Sequence, residues 1–331
     1  MPFHAVLLLR LAICLATCVI ATGCAQPGPQ LADATPARTI GGVVARAVTL
    51  VSEGTRVAGT VYTPAAAAPK TKLPTIVMAN GWGGTAAQLE TDAIEFAQAG
   101  YLVLSFDYRG WGRSESRVLL TLPAPSGTAR RYTAEVQEVR EVVDAEDMVA
   151  DWLNALHWLQ GEPQCDTARI GLWGTGLSGG MVVTAAVRDG RVKAIYSQVG
   201  LFPASAAWRQ PEGLKESTRR ARGEIGYPPP GQSVMIDLVG TSVPSRFVPY
   251  SPIDDVRALG PVALAIVVAK VETVFENNEH GLLAYERHTG PKQLVTLDTT
   301  HRTIMAGGAR KQAHEVAQSW FDQHLNRPPS R

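Results

Sequence analysis

"IGLWGTGLSGGMVV", residues 170–183, runs from apolar residues into small ones and then into a helical pattern. Serine hydrolases carry their nucleophile on a turn of this kind, where the backbone is strained and strand and helix nearly touch. The serine available is Ser178. Its hydroxyl would attack a carbonyl carbon if a histidine took its proton and a carboxylate oriented that histidine. Two registers satisfy the need for small neighbours. In one, Gly176 holds the nucleophile position between Gly174 and Ser178, and Ser178 falls in the first helical turn, packed and unable to attack. In the other, Ser178 is the nucleophile between Gly176 and Gly180, a literal Gly-x-Ser-x-Gly. A glycine- and serine-rich turn without chemistry is a third reading.

The elements that would position such a turn alternate along the chain. "ARAVTLVSEG" and "TRVAGTVYTP" are β runs split by Glu53-Gly54, a hairpin signal. "LPTIVMANGWGG" is a continuous apolar run ending in glycines, as in a strand buried on both faces of a parallel sheet. "TAAQLETDAIEFAQAG" reads as an amphipathic helix with Gly100 at its C-terminal cap. "YLVLSFDYRGWGRSES" is the next buried strand and its loop. Residues 118–143 are polar and broken by Pro123 and Pro125, an irregular excursion. Asp144 can cap the helix "DAEDMVADWLNALHWLQ", on which Met148, Trp152, Leu156 and Leu159 share a face. "ARIGLWG", "VKAIYSQVG", "GPVALAIVVAK" and "KQLVTLDTTH" are further strands. "SGGMVVTAAVRDG", "HGLLAYERHTG" and "KQAHEVAQSWFDQHL" are further helices. Residues 201–248, rich in Pro, Gly and Arg, are expected to form a small inserted lid. This order predicts an α/β fold: a doubly wound, mostly parallel sheet with helices on both faces. Functional residues then belong just after strands.

Over roughly 43–325 the chain resembles the α/β-hydrolase fold, and within it the dienelactone-hydrolase-like and X-Pro-peptidase-like serine hydrolases. "NGWGG" (80–84) looks like the oxyanion loop, with Asn80 where a histidine is usual. "FDYRGWGRSES" looks like the loop after the fourth strand. The elbow there commonly reads Gly-Thr-Ser-x-Ser-Gly-Gly, against Gly-Thr-Gly-Leu-Ser-Gly-Gly here. That likeness favours the Gly176 register; the literal motif favours Ser178. The fold's order of nucleophile, acid and histidine implies Glu272 as the acid after the seventh strand, with Glu276 and Glu279 as rivals. It implies His301 as the base after the last strand. The other histidines fall in helices (His157, His314), beside one (His280, His288) or near the termini (His4, His324). The oxyanion would be received by the N–H of Trp82 and by the N–H after the nucleophile, which is Leu177 in the Gly176 register and Gly179 in the Ser178 register. Trp82 and Trp111 are candidates for pocket walls as well as for core packing.

Composition bounds the rest. The 331 residues are 45% apolar and 18% charged, with a formal net charge of +1. No basic stripe argues for nucleic acid. No ligand spacing argues for a metal, and "GWGGT" lacks phosphate-loop spacing, so no cofactor is expected. Cys14, Cys18 and Cys24 crowd the N-terminus, and Cys165 is expected in a surface loop. Residues 1–23 read as a signal peptide whose apolar stretch, 11–20, is too short to span a bilayer. "ATGC" (21–24) resembles a lipoprotein cleavage box, with Cys24 the lipidated residue. Residues 24–42 read as a tether and 43–331 as the catalytic domain. The expectation is an exported protein of a bacterial envelope, held by a lipid anchor or otherwise periplasmic or secreted. It would cleave an ester, thioester or related acyl bond of a small molecule through an acyl-enzyme. Its alternative is an inactive hydrolase-fold lipoprotein with Gly176 at the nucleophile position.

Overall fold

Glu53 and Gly54 both take positive φ, 48° and 88°, the tight turn that matches the twist of the strands it joins. They connect β2 (Val43–Ser52) to β3 (Thr55–Pro64), paired antiparallel over their whole length. A computed structural model of the chain describes residues 36–127, 130–226 and 238–326. With β1 (Arg38–Ile40), the hairpin forms one edge of a nine-stranded sheet. The remaining strands are β4 (Leu73–Ala79), β5 (Leu102–Phe106), β6 (Cys165–Thr175), β7 (Val192–Gln198), β8 (Ala263–Val271) and β9 (Lys292–Thr300). Their order is β1-β2-β3-β5-β4-β6-β7-β8-β9, and the six strands from β5 onward are mutually parallel.

Every residue of β4 and β5 is buried, so these strands read as unbroken apolar runs rather than as an alternation. Successive side chains nonetheless serve opposite faces. Val77, Leu104, Leu172 and Ile195 pack with Met148, Trp152 and Leu156 of α2 (Ala145–Gln160) and with Met181 and Val182 of α3 (Leu177–Asp189). Ile76, Met78, Val103 and Tyr196 pack on the other face with Ala93 and Phe96 of α1 (Glu90–Gln98). Ala317, Trp320 and Phe321 of α5 (Gly307–Leu325) complete that second layer. A shorter helix, α4 (Gly281–Arg287), stands between β8 and β9, with His280 and His288 at its two ends. Asp144 caps α2 by accepting from Asp147 N–H at 3.0 Å.

Two expectations are corrected. Residues 118–143 are not uniformly irregular. Arg117–Leu120 and Val136–Val139 pair as an antiparallel hairpin, and Val142–Val143 pairs with Thr241–Ser242. The first two strands are mostly exposed, and Val118, Leu120 and Val136 face solvent, so no buried alternation marks them in the sequence. Cys165 is not in a surface loop. It is 1% exposed, opens β6, and its Sγ lies 3.4 Å from Thr75 Oγ1. The register Leu73↔Cys165 puts it at the start of the β4–β6 ladder. The segment between β7 and β8 holds helices Ser205–Trp208, Pro211–Ala221 and Pro244–Phe247. Among the described residues, no helix is long and apolar enough to cross a membrane. Residues 1–35, with the expected signal, Cys24 and most of the tether, lie outside the described residues.

Candidate active site

The carboxyl ends of β4, β6, β8 and β9 deliver Asn80, Gly176, Glu272 and His301, each one residue beyond its strand. Glu272 and His301 meet as the sequence suggested. Nδ1 of His301 is 3.0 Å from Glu272 Oε2. The carboxylate is further held by the N–H groups of Thr273 and Val274, both 2.9 Å from Oε1. Burial works against the charged form of Glu272. The hydrogen bond and charge of His301, with the two backbone donors, outweigh it and hold the carboxyl below its ordinary value. The edge of the Phe275 ring stands against the imidazole, centroids 5.2 Å apart and planes at 84°. Nδ1 is thereby committed, and Nε2 is the nitrogen free to act as a base.

Gly176 occupies the elbow. Its φ of 56° and ψ of −124° form the strained conformation that such turns impose, and α3 starts at the next residue. A Cβ built on Gly176 would stand 3.8 Å from His301 Nε2 and 3.8 Å from Gly81 Cα, with no other contact within 4 Å. The position facing the base therefore carries no side chain. Ser178 does not supply one. It is fully buried in the first turn of α3, where its Oγ donates to the Asn80 carbonyl and lies 2.5 Å from Tyr108 Oη. The assignment of Ser178 as nucleophile is corrected on this geometry. The register is the one that puts Gly176 at the turn.

That register moves the second oxyanion donor as well. Gly179 N–H is bonded to the Gly176 carbonyl at 3.0 Å and is not available. Leu177 is the first residue of α3, so its N–H has no intrahelical acceptor. The oxyanion loop lies directly on it: a Cβ on Gly81 would come within 2.7 Å of the Thr175 carbonyl and 3.3 Å of Leu177 N. Trp82 follows in that loop; the residue is 8% exposed and its ring is stacked toward Phe247, so it belongs to the core. Trp111 is also core, its Nε1 donating to the Val142 carbonyl at 3.2 Å.

Asn80, in place of the usual histidine, organises the loop. Its Oδ1 accepts from Gly81 N–H at 2.8 Å, and its Nδ2 donates to Gln88 Oε1 at 2.7 Å. Asp107 holds the loop's far end by accepting from Ala86 N–H at 2.6 Å. A cavity of about 610 Å³ opens beside the loop, lined by Trp82, Leu238, Val239, Arg302 and Met305 among others. Sequence reasoning gave Tyr108 no role and placed Trp152 only on the packed face of α2. The signal was present in "FDYRG", but a tyrosine in a buried strand-end loop reads first as packing. Away from the site, Asp92, Glu95 and His314 come within metal-binding reach of one another. Arg310 already neutralises the two carboxylates, at 2.8 Å from Asp92 and 2.9 Å from Glu95, so they form an ion-pair network.

A mostly parallel sheet between helix layers, with a positive-φ glycine turn and a paired Glu272 and His301 at its carboxyl edge, is the fold of the α/β-hydrolases. Residues 53–224 match the family described as X-Pro dipeptidyl-peptidase (S15 family). The chain belongs to that family. It is 30% identical over 173 residues to the quorum-quenching protein AidA of Acinetobacter baumannii, covering 51% of this chain and 50% of that protein. It is 25% identical over 279 residues to the thiohydrolase aneE of Aspergillus aculeatus, covering 71% of this chain and 81% of that one. This chain therefore spans about half the length of AidA. Among solved structures, the α/β hydrolase GrgF from a Penicillium species superposes with a TM-score of 0.65 at 18% identity, covering 86% of this chain and 99% of that one. At that identity the likeness is one of fold.

Proposed function

We propose that the protein hydrolyses an ester or thioester of a small acyl substrate by direct attack of water, with His301 as the base and Glu272 as its partner. The observation that carries this reading is the open space at Gly176, whose absent side chain would have faced His301 Nε2 from 3.8 Å. A water in that space is within reach of the base. Nε2 takes a proton from the water, and the water oxygen bonds to the carbonyl carbon. The carbonyl electron pair moves to its oxygen, which Trp82 N–H and Leu177 N–H receive. As the tetrahedral adduct collapses, the bond to the leaving oxygen or sulfur breaks, and His301 returns the proton to it. No acyl-enzyme forms. Thioesters suit this course, since their leaving group departs without strong assistance. The thiohydrolase aneE among the relatives supports that substrate class.

A second reading rests on the cavity of about 610 Å³ beside the Asn80–Gly84 loop. A site without a nucleophile can keep its pocket for binding alone. The two readings separate in one assay: release of thiol from short acyl thioesters by wild type and by His301→Ala. Turnover that falls by about 10²–10⁴ in His301→Ala supports the base role. Wild type that binds the thioester with no release supports the binding reading.

We also propose export and a lipid anchor at Cys24, supported by "ATGC" after the apolar run 11–20.

A further inference from the structure

Ser178 has lost the place of a nucleophile, yet its hydroxyl is bonded on both sides. The donors and acceptors at its two ends set the direction of the protons in that chain, with Met181 Sδ at 3.6 Å a second, weaker acceptor for the Tyr108 phenol. Trp152 Nε1 only donates, and it lies 2.6 Å from Tyr108 Oη. The Asn80 carbonyl only accepts, and its donor is Ser178. Ser178 has one proton, so in its 2.5 Å contact with Tyr108 the phenol donates. Burial pushes the Tyr108 phenol well above its ordinary value, which keeps that proton in place. The relay therefore runs Trp152, Tyr108, Ser178, Asn80, all in one sense.

Its last link falls at a particular point. The parallel ladder between β4 and β6 ends at Ala79↔Gly174. Asn80 is the next residue, and beyond it the chain leaves the sheet to form the oxyanion loop. The Ser178 hydroxyl takes the first carbonyl past the ladder. It stands one residue after Leu177 and ties down the residue two before Trp82. The two oxyanion donors thus sit on segments joined by this one side chain.

We propose that Ser178 is a positioning residue: its hydroxyl holds the Asn80 carbonyl and so sets Trp82 N–H and Leu177 N–H at a fixed separation around the developing oxyanion. This rests on the proposed hydrolysis for its purpose, but its test does not depend on wild-type turnover. A thiol installed by Gly176→Cys reports on the site in two ways. Iodoacetamide alkylates it by displacing iodide, with no oxyanion. p-Nitrophenyl acetate acylates it by addition to a carbonyl, which needs one. Ser178→Ala in that background should slow acylation by about tenfold or more, a fraction of the 10²–10³ lost when a donor is removed outright. Alkylation should change by less than about twofold. Equal slowing of both reactions, or of neither, would overturn the proposal. A thiol inert to both reagents would count against His301 as the base, and hydrogen exchange then decides the positioning role. In otherwise wild-type protein, Ser178→Ala should speed exchange at Gly84 N–H, which bonds the Gly81 carbonyl at 3.1 Å. Exchange in the middle of α3 should stay as it was. Unchanged exchange in the loop, or faster exchange throughout α3, would refute a tether.

Discussion

His301 Nε2 lies 3.8 Å from the point where a Cβ on Gly176 would stand. His301, paired with Glu272, and the Gly81 backbone border a residue that has no side chain. Installing a hydroxyl there should complete the missing part. Gly176→Ser is expected to gain labelling by a fluorophosphonate probe that leaves wild type unlabelled. The backbone already holds the required conformation, so its strain of about 1–3 kcal/mol falls on the substituted residue. Absence of labelling in Gly176→Ser, read by in-gel fluorescence and peptide mapping, would show that His301 does not serve this position.

Glu272→Gln keeps the shape but removes the charge that orients His301. We expect thioester hydrolysis to fall by about 10²–10⁴ at neutral pH. The same residue makes a stability prediction. Its folded-state pKa lies below the ordinary value of 4.5. The ionised group therefore contributes stability that is fully present above that value and is lost as pH falls through the lowered one. Urea unfolding of wild type and Glu272→Gln should differ at pH 7 and converge as pH falls below 4.5 and through the lowered folded-state value. A difference that grows with acidity would contradict the assignment.

How much of this could be read from residues alone is clear at particular positions. The alternation of strands and helices and the Glu53–Gly54 turn rest on local signals: apolar runs and a two-residue turn. The pairing of Glu272 with His301 rests instead on the resemblance to the α/β-hydrolase order of acid and histidine. Local signals do not decide the elbow register. "GTGLSGG" supplies small residues at 174, 176 and 180, so spacing fits both registers equally. What decides it is three-dimensional: the positive φ at Gly176 and the burial of Ser178 against Tyr108. Cys165 was misplaced for a similar reason, since a loop-like "GEPQ" prefix gives no sign that the next residue enters a ladder.

Arg109 and Asp151 make a buried pair at 2.7 Å, with side chains 7% and 0% exposed. Arg109 also donates to Ser52 Oγ at 2.7 Å. Asp151→Ala should destabilise the fold by about 3–5 kcal/mol, because it leaves the guanidinium buried and short of its partner. Chemical denaturation measures this directly. A loss under about 1 kcal/mol would mean that water or Glu53 takes over the charge.

For Cys24, metabolic labelling with a fatty-acid probe should mark the wild-type protein and not Cys24→Ala. The substituted protein should leave the membrane fraction. Unlabelled wild type would remove the anchor from the account.

Attack by water without an acyl-enzyme leaves a signature that intact-mass spectrometry of the protein during thioester turnover reads. Product should accumulate while the mass of the wild-type chain stays unchanged at every time point. Gly176→Ser under the same conditions should carry one acyl group. An acyl adduct on the wild type, mapped to Ser178 and abolished by Ser178→Ala, would mean that Ser178 attacks the substrate instead of water.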